Sequence, residues 1–262
     1  VCRLTAYVGE PLSLSTLVFG GSHPLYEQSW APAELLTGTV NADGWGVAWY
    51  DEGRPVRLAR SEPVWHASGL ERILDAIRSP TALAAIRNTT TGLPQGEASV
   101  APLVFERWTF VLNGFIPSFR ARHMRALRGA LPDHLYGSLV GVSDTETLFL
   151  LAVTEVERGA SLGEALGHIA RITLERVGET DDECQLTMLL SDGESLAAVR
   201  TSNRDRVNSL YRIDREGMAP GGTLVASERL DADEGWTPIP AREVVELRRN
   251  PRARPPDPSR GR

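Results

Sequence analysis

Lysine is absent from this 262-residue chain, and all 28 of its basic side chains are arginine. The absence excludes a phosphate loop that ends on a lysine. An HExxH pair and a CxxC pair are missing too, so the commonest zinc-protease and dithiol motifs are excluded. Five histidines, His23, His66, His123, His134 and His168, are scattered without the close spacing of metal ligands. Cysteine occurs twice, as Cys2 and Cys184, too few for a disulfide scaffold. No apolar run approaches the roughly 18 residues that span a bilayer. The first residues, Val1-Cys2-Arg3-Leu4, lack the apolar core of a signal peptide. The expectation is a cytoplasmic protein without a membrane partner.

What is present fits a globular chain. Hydrophobic residues make up 42% and charged residues 24%, enough apolar mass for a sizeable core. The net charge of −6 argues against a nucleic-acid partner. The last 13 residues, 250–262, are rich in Pro and Arg and poor in apolar side chains. They read as a disordered tail, which leaves one domain over 2–249.

Short β-prone stretches fall in two groups. The first comprises residues 2–8, 46–50, 56–60, 82–87 and 108–112. The second comprises residues 185–190, 196–201, 209–212, 223–226 and 244–247. Between them, apolar residues recur at helical spacing after Ser143 and after Ser161, each with Glu three positions on. An earlier helix is expected after Ser68 with Glu71. Each start fits a capping box, in which Ser and Glu side chains satisfy free backbone N–H groups. This order predicts an α+β layered fold.

Cys2 is the most informative residue. If position 1 is removed, Cys2 carries a free α-amine beside its thiol. That amine has a pKa near ~7.7–8.0, so part of it is neutral at physiological pH and can accept the thiol proton. Terminal-amine activation is a known variant of triad logic. Equally, Cys2 fits an ordinary small hydrophobe in a first strand. Cys184, in a strand-like apolar run, reads as an inert core thiol.

Five stretches decide between these readings. They are Cys2-Arg3-Leu4 with Ala6-Tyr7; Asn41-Ala42-Asp43-Gly44-Trp45-Gly46; Arg87-Asn88-Thr89-Thr90-Thr91-Gly92; Asn113-Gly114; and Ser143-Asp144-Thr145-Glu146. In this order the chain resembles the class II glutamine amidotransferases, which are N-terminal-nucleophile hydrolases. The resemblance implies a four-layer αββα sandwich, catalysis by Cys2 and no cofactor. It implies an oxyanion hole from Asn113 and Gly114, and a grip on the glutamyl head by Arg87, Thr90 and Asp144.

Within the family the chain is similar to the ergothioneine-pathway amidohydrolases, which remove glutamate from γ-glutamyl-hercynylcysteine sulfoxide. This finer resemblance rests on Gln28-Ser29-Trp30-Ala31-Pro32, Gly38-Thr39-Val40, Leu189-Leu190-Ser191-Asp192-Gly193, Val225-Ala226-Ser227-Glu228 and Trp236. It implies a small-molecule γ-glutamyl substrate with a trimethylammonium group. Trp30 and Trp45, with Trp65 and Phe115, are candidates to meet that cation through their ring faces.

Two positions depart from the family pattern: Leu112 stands where His is common, and Thr91 where His or Pro is usual. The competing readings are a glutaminase subunit feeding ammonia to a separate synthetase, and an inactive binding protein. Homo-oligomerisation stays open. Taken alone, Asn113-Gly114 also fits the tip of a two-residue hairpin.

Overall fold

The computed structural model describes residues 2–36, 38, 40–88, 96–178, 182–214 and 217–249. Two antiparallel sheets lie face to face. The first contains β1 (Arg3–Ser13), β2 (Gly44–Asp51), β3 (Arg54–Arg60), β4 (Arg78–Arg87), β9 (Tyr211–Asp214), β10 (Thr223–Ala226) and β11 (Thr237–Pro238). Its spatial order is β11-β9-β10-β1-β4-β2-β3. The second contains β5 (Leu103–Phe105), β6 (Trp108–Phe115), β7 (Gln185–Ser191), β8 (Ser195–Ser202) and β12 (Val244–Arg248). Its order is β12-β8-β7-β6-β5.

The two-residue period of the strands generates the layers. Leu4, Ala6 and Val8 of β1 and Leu83 and Ala85 of β4 meet Val111, Leu189, Leu196 and Ala198 between the sheets. The alternate residues face outward. Tyr7, Trp45, Val47, Ala84 and Ile86 pack under α1 (Ser15–Phe19), α2 (Leu25–Gln28) and α3 (Leu70–Asp75). Phe110, Leu112, Leu186 and Met188 pack under α6 (Asp144–Glu157) and α7 (Leu162–Val177). Two short helices, α4 (Met124–Arg128) and α5 (Asp133–Tyr136), complete that side. The result is the expected αββα sandwich. Truncating one of these buried leucines to alanine costs on the order of 2–5 kcal/mol.

The helix starts separate into three cases. Ser161 forms the full capping box with Glu164. Ser143 accepts from the Glu146 N–H, but the Glu146 carboxylate turns to the N–H groups of Val140 and Gly141. The expected box at Ser68 does not form. The residue before α3 is Gly69, at φ +78°, and no side chain caps the helix.

Asn113 and Gly114 also differ from the hairpin-tip reading. Both lie within β6, paired with Thr187 and Leu186 of β7. A Cβ on Gly114 would run into the Gln185 carbonyl, so the strands approach here at a distance only glycine permits. Gly46 plays a similar part in β2. A Cβ there would stand 2.5 Å from the Ala101 carbonyl, so its absence lets the segment before β5 lie against the strand.

Candidate active site

One cleft gathers residues from separate parts of the chain. It is open to solvent and is lined by Cys2, Arg87, Asn88, Ser99, Gly114 and Asp144, with Ala85, Ala101 and Leu112 among its apolar residues. Strand parity explains the meeting. Val8, Ala6 and Leu4 lie on one face of β1, and Cys2 is the next position in that series. On β4, Arg87 follows Leu83 and Ala85 in the same way. Arg87, the last residue of β4, therefore falls on the face between the sheets, and Cys2, just before β1, lines the same cleft.

Asp144 is the first residue of α6 and is almost wholly buried. Its carboxylate accepts from the Ile116 N–H at 2.9 Å and the Thr145 N–H at 2.8 Å. Burial pushes its pKa above the usual carboxylate value, against the downward pull of those two donors. An approaching cation would supply the missing counter-charge. Arg87, also buried, donates from Nη1 to the Ser99 hydroxyl at 2.8 Å. It makes no ion pair with any described residue. The cleft thus holds a guanidinium and a carboxyl that do not neutralise each other, a pair suited to a zwitterionic head group.

Asn113 is fully buried. Its backbone carbonyl accepts from Asn208 Nδ2 at 3.2 Å, while both polar atoms of its own side chain have no partner among the described residues. Such orphaned atoms are rare and costly in a folded interior. Its neighbours Leu112 and Gly114 line the cleft, whereas Asn113 is not among the lining residues.

The aromatic candidates separate. Trp30 is 42% exposed and packs edge-on against Tyr26, at 4.8 Å between ring centroids, and against Trp65, at 5.9 Å. Trp45 is 4% exposed and belongs to the core between the first sheet and its helices. It stands on the helix-facing side of β2, and neither Trp45 nor Trp30 is among the residues lining the cleft. Thr90 and the tail from 250 lie outside the described residues. Cys184 is fully buried, and burial pushes its thiol up to about 12, which leaves it protonated and inert.

Two groups at the cleft carried no signal that motif reading could use, and one contact behind Cys2 joins two of the quoted stretches. Ser99 holds Arg87 from a short turn outside the quoted motifs. Ile116 serves through its backbone N–H, which any residue but proline supplies. Arg3 and Glu228 form a buried ion pair at 2.6 Å directly behind Cys2. Among the described residues, no group of three or more His, Cys, Asp or Glu is placed to hold a metal ion, and no helix is long and apolar enough to cross a membrane.

Comparison with known proteins bears on this geometry. Residues 28–222 match the family described as class II glutamine amidotransferases; that span begins after Cys2. The chain is 33% identical over 249 residues to a gamma-glutamyl-hercynylcysteine sulfoxide hydrolase of Mycolicibacterium smegmatis, covering 95% of this chain and 96% of the relative. It is 31% identical over 247 residues to a protein of the same name from Mycobacterium tuberculosis, covering 94% and 93%. Among solved structures, a glutamine aminotransferase class-II domain protein from Silicibacter pomeroyi superposes with a TM-score of 0.65 at 26% identity, covering 95% of this chain and all of the other. A predicted glutamine amidotransferase from Pseudomonas aeruginosa superposes at 0.59 with 18% identity, covering 95% and 97%, a likeness of fold alone.

Proposed function

Because this chain belongs to the class II glutamine amidotransferases, we propose that it is an amidohydrolase that removes glutamate from a γ-glutamyl amide, with Cys2 as nucleophile. The observation that carries the reading is the cleft, which places Cys2, Arg87, Gly114 and Asp144 around one space. In the proposed reaction, Arg87 takes the substrate α-carboxylate through its planar fork, and Thr90 assists. Asp144 takes the α-ammonium. The two together set the γ-carbonyl over the Cys2 sulfur.

Removal of position 1 frees the Cys2 amine. That amine takes the thiol proton as sulfur attacks the γ-carbonyl, and returns it to the departing amine. A γ-glutamyl thioester remains, and water cleaves it to glutamate and the free thiol. Negative charge develops on the carbonyl oxygen at each attack. The unpartnered Asn113 amide and the Gly114 N–H are the proposed donors. Loss of one such donor typically costs about 10²–10³ in rate.

The substrate proposed is γ-glutamyl-hercynylcysteine sulfoxide, the compound in the names of the relatives that match almost end to end. Its trimethylammonium would sit on an aromatic face. The exposed Trp30, braced by Trp65 and Tyr26, fits that task, and Trp45 supports the sheet beneath.

The test is an acid-quenched reaction with a γ-glutamyl sulfoxide, analysed by intact mass and peptide mapping. The expected product is one glutamyl group on the Cys2 peptide, absent in C2S, in a protein whose first residue is Cys2. A panel of L-glutamine against γ-glutamyl thioethers and sulfoxides reads the leaving group. Faster glutamine turnover would replace this reading with a glutaminase subunit. Absence of any thioester would leave a binding protein.

A further inference from the structure

Stability alone does not account for the ion pair behind Cys2. Arg3 and Glu228 are buried to 0% and 1% exposure. An apolar pair of similar volume commonly stabilises a fold as well or better, because both charges lose their water. The destinations of their remaining bonds point to another role. Arg3 stands on the side of β1 that faces the helices, away from the cleft. Its Nη1 reaches back and donates to the Cys2 carbonyl at 3.2 Å.

Glu228 in turn accepts from the N–H groups of Ala33 at 2.8 Å and Glu34 at 3.0 Å, and meets His23 Nε2 at 3.0 Å. Burial raises the Glu228 carboxyl, but Arg3, the two amides and His23 outweigh it and leave the group below its usual value. It therefore stays charged at neutral pH. The adjacent Ser227 hydroxyl accepts from the Leu4 N–H at 3.1 Å, so consecutive residues of one segment hold consecutive residues of the N-terminal strand.

Cys2 needs such a hold. β1 begins at Arg3, so no ladder fixes the residue before it, and chain ends fray unless tied. Fixing the Cys2–Arg3 peptide plane fixes where the Cys2 Cα stands, and the thiol and amine both project from that atom. Resting on the amidohydrolase reading above, we infer that Arg3, locked by Glu228, is a positioning residue that clamps the Cys2 carbonyl and so aims the nucleophile and its base into the cleft.

The deciding variant is R3M/E228Q, a neutral pair of similar volume in which Gln can still accept from a loop amide. With the protein folded, kcat for γ-glutamyl hydrolysis is expected to fall about 10–100-fold, the scale of a misplacement near 1 Å. KM should be unchanged, since Arg87 and Asp144 are untouched. The acid limb of the kcat profile should also move, because the amine no longer meets the thiol. Wild-type kcat in the folded double variant overturns the inference.

If that variant does not fold, R3K serves. It keeps the charge opposite Glu228 but replaces the fork with a single ammonium. The expected result is a folded enzyme with lowered kcat; full kcat overturns the inference. The wild-type thioester is measured in parallel. Its absence sinks the amidohydrolase reading, whereas a wild-type thioester with undiminished turnover in the variants sinks the positioning role alone.

Discussion

Asp144 concentrates the electrostatics of the cleft into one group. Its folded pKa is raised by burial, so between the unfolded and the folded values the folded protein keeps a proton that the unfolded chain has released. Its contribution to stability therefore declines as pH rises from the unfolded value, about 3.9, toward the raised folded one. Binding of an ammonium reverses the preference and favours the carboxylate. KM for a γ-glutamyl amide should accordingly rise as pH falls through the raised Asp144 value, measured as initial rates across a pH series. D144N should raise KM at neutral pH and flatten that limb. An unchanged KM profile in D144N would remove Asp144 from substrate binding. At this scale Cys2, Arg87, Gly114 and Asp144 were legible because their residue types fall in a recognisable order. Ser99 and Ile116 were not, because a hydroxyl in a turn and a backbone amide leave no distinctive spacing. Trp45 was legible as a large ring near a motif, but its side of the strand was not.

At the scale of elements, chemistry local in sequence was read well and chemistry that depends on neighbours less so. All ten expected strands exist, with ends displaced by a few residues. β5 and β11 were missed, because Leu103–Phe105 and Thr237–Pro238 are too short to show a period. Asn113-Gly114 carries the strongest local hairpin signal, yet pairing with β7 across Leu186 and Thr187 keeps it extended. Tertiary pairing outweighs turn preference there. The helix caps allow a direct comparison. Ser161 accepts from Glu164 N–H and Glu164 returns the bond, so S161A should cost about 0.5–2 kcal/mol. S68A removes no cap and should stay within about 0.5 kcal/mol. Chemical denaturation midpoints of the two variants check the contrast, and equal losses would contradict the assigned caps.

Over the whole molecule, the sandwich does more than bury apolar area. β1 lies inside the seven-stranded sheet, paired with β10 on one side and β4 on the other. Cys2 thus stands just before a central strand, beside the apolar layer between the sheets. The layered architecture was legible from the order of strands and helices. The closing of the cleft was not, because Cys2, Arg87, Gly114 and Asp144 come from segments whose convergence only the register decides. The buried Arg3–Glu228 contact joins residues far apart in sequence, so nothing local announces the pairing.

The placement of Cys2 on the wall of the cleft has a practical corollary for anyone producing the protein. On the proposed reading, any residue ahead of Cys2 converts its amine into an amide that cannot take the thiol proton. An affinity handle fused ahead of Cys2 should therefore abolish turnover until a protease trims it flush, while the same handle after the last residue should be tolerated; comparing the two fusions before and after trimming reads this out.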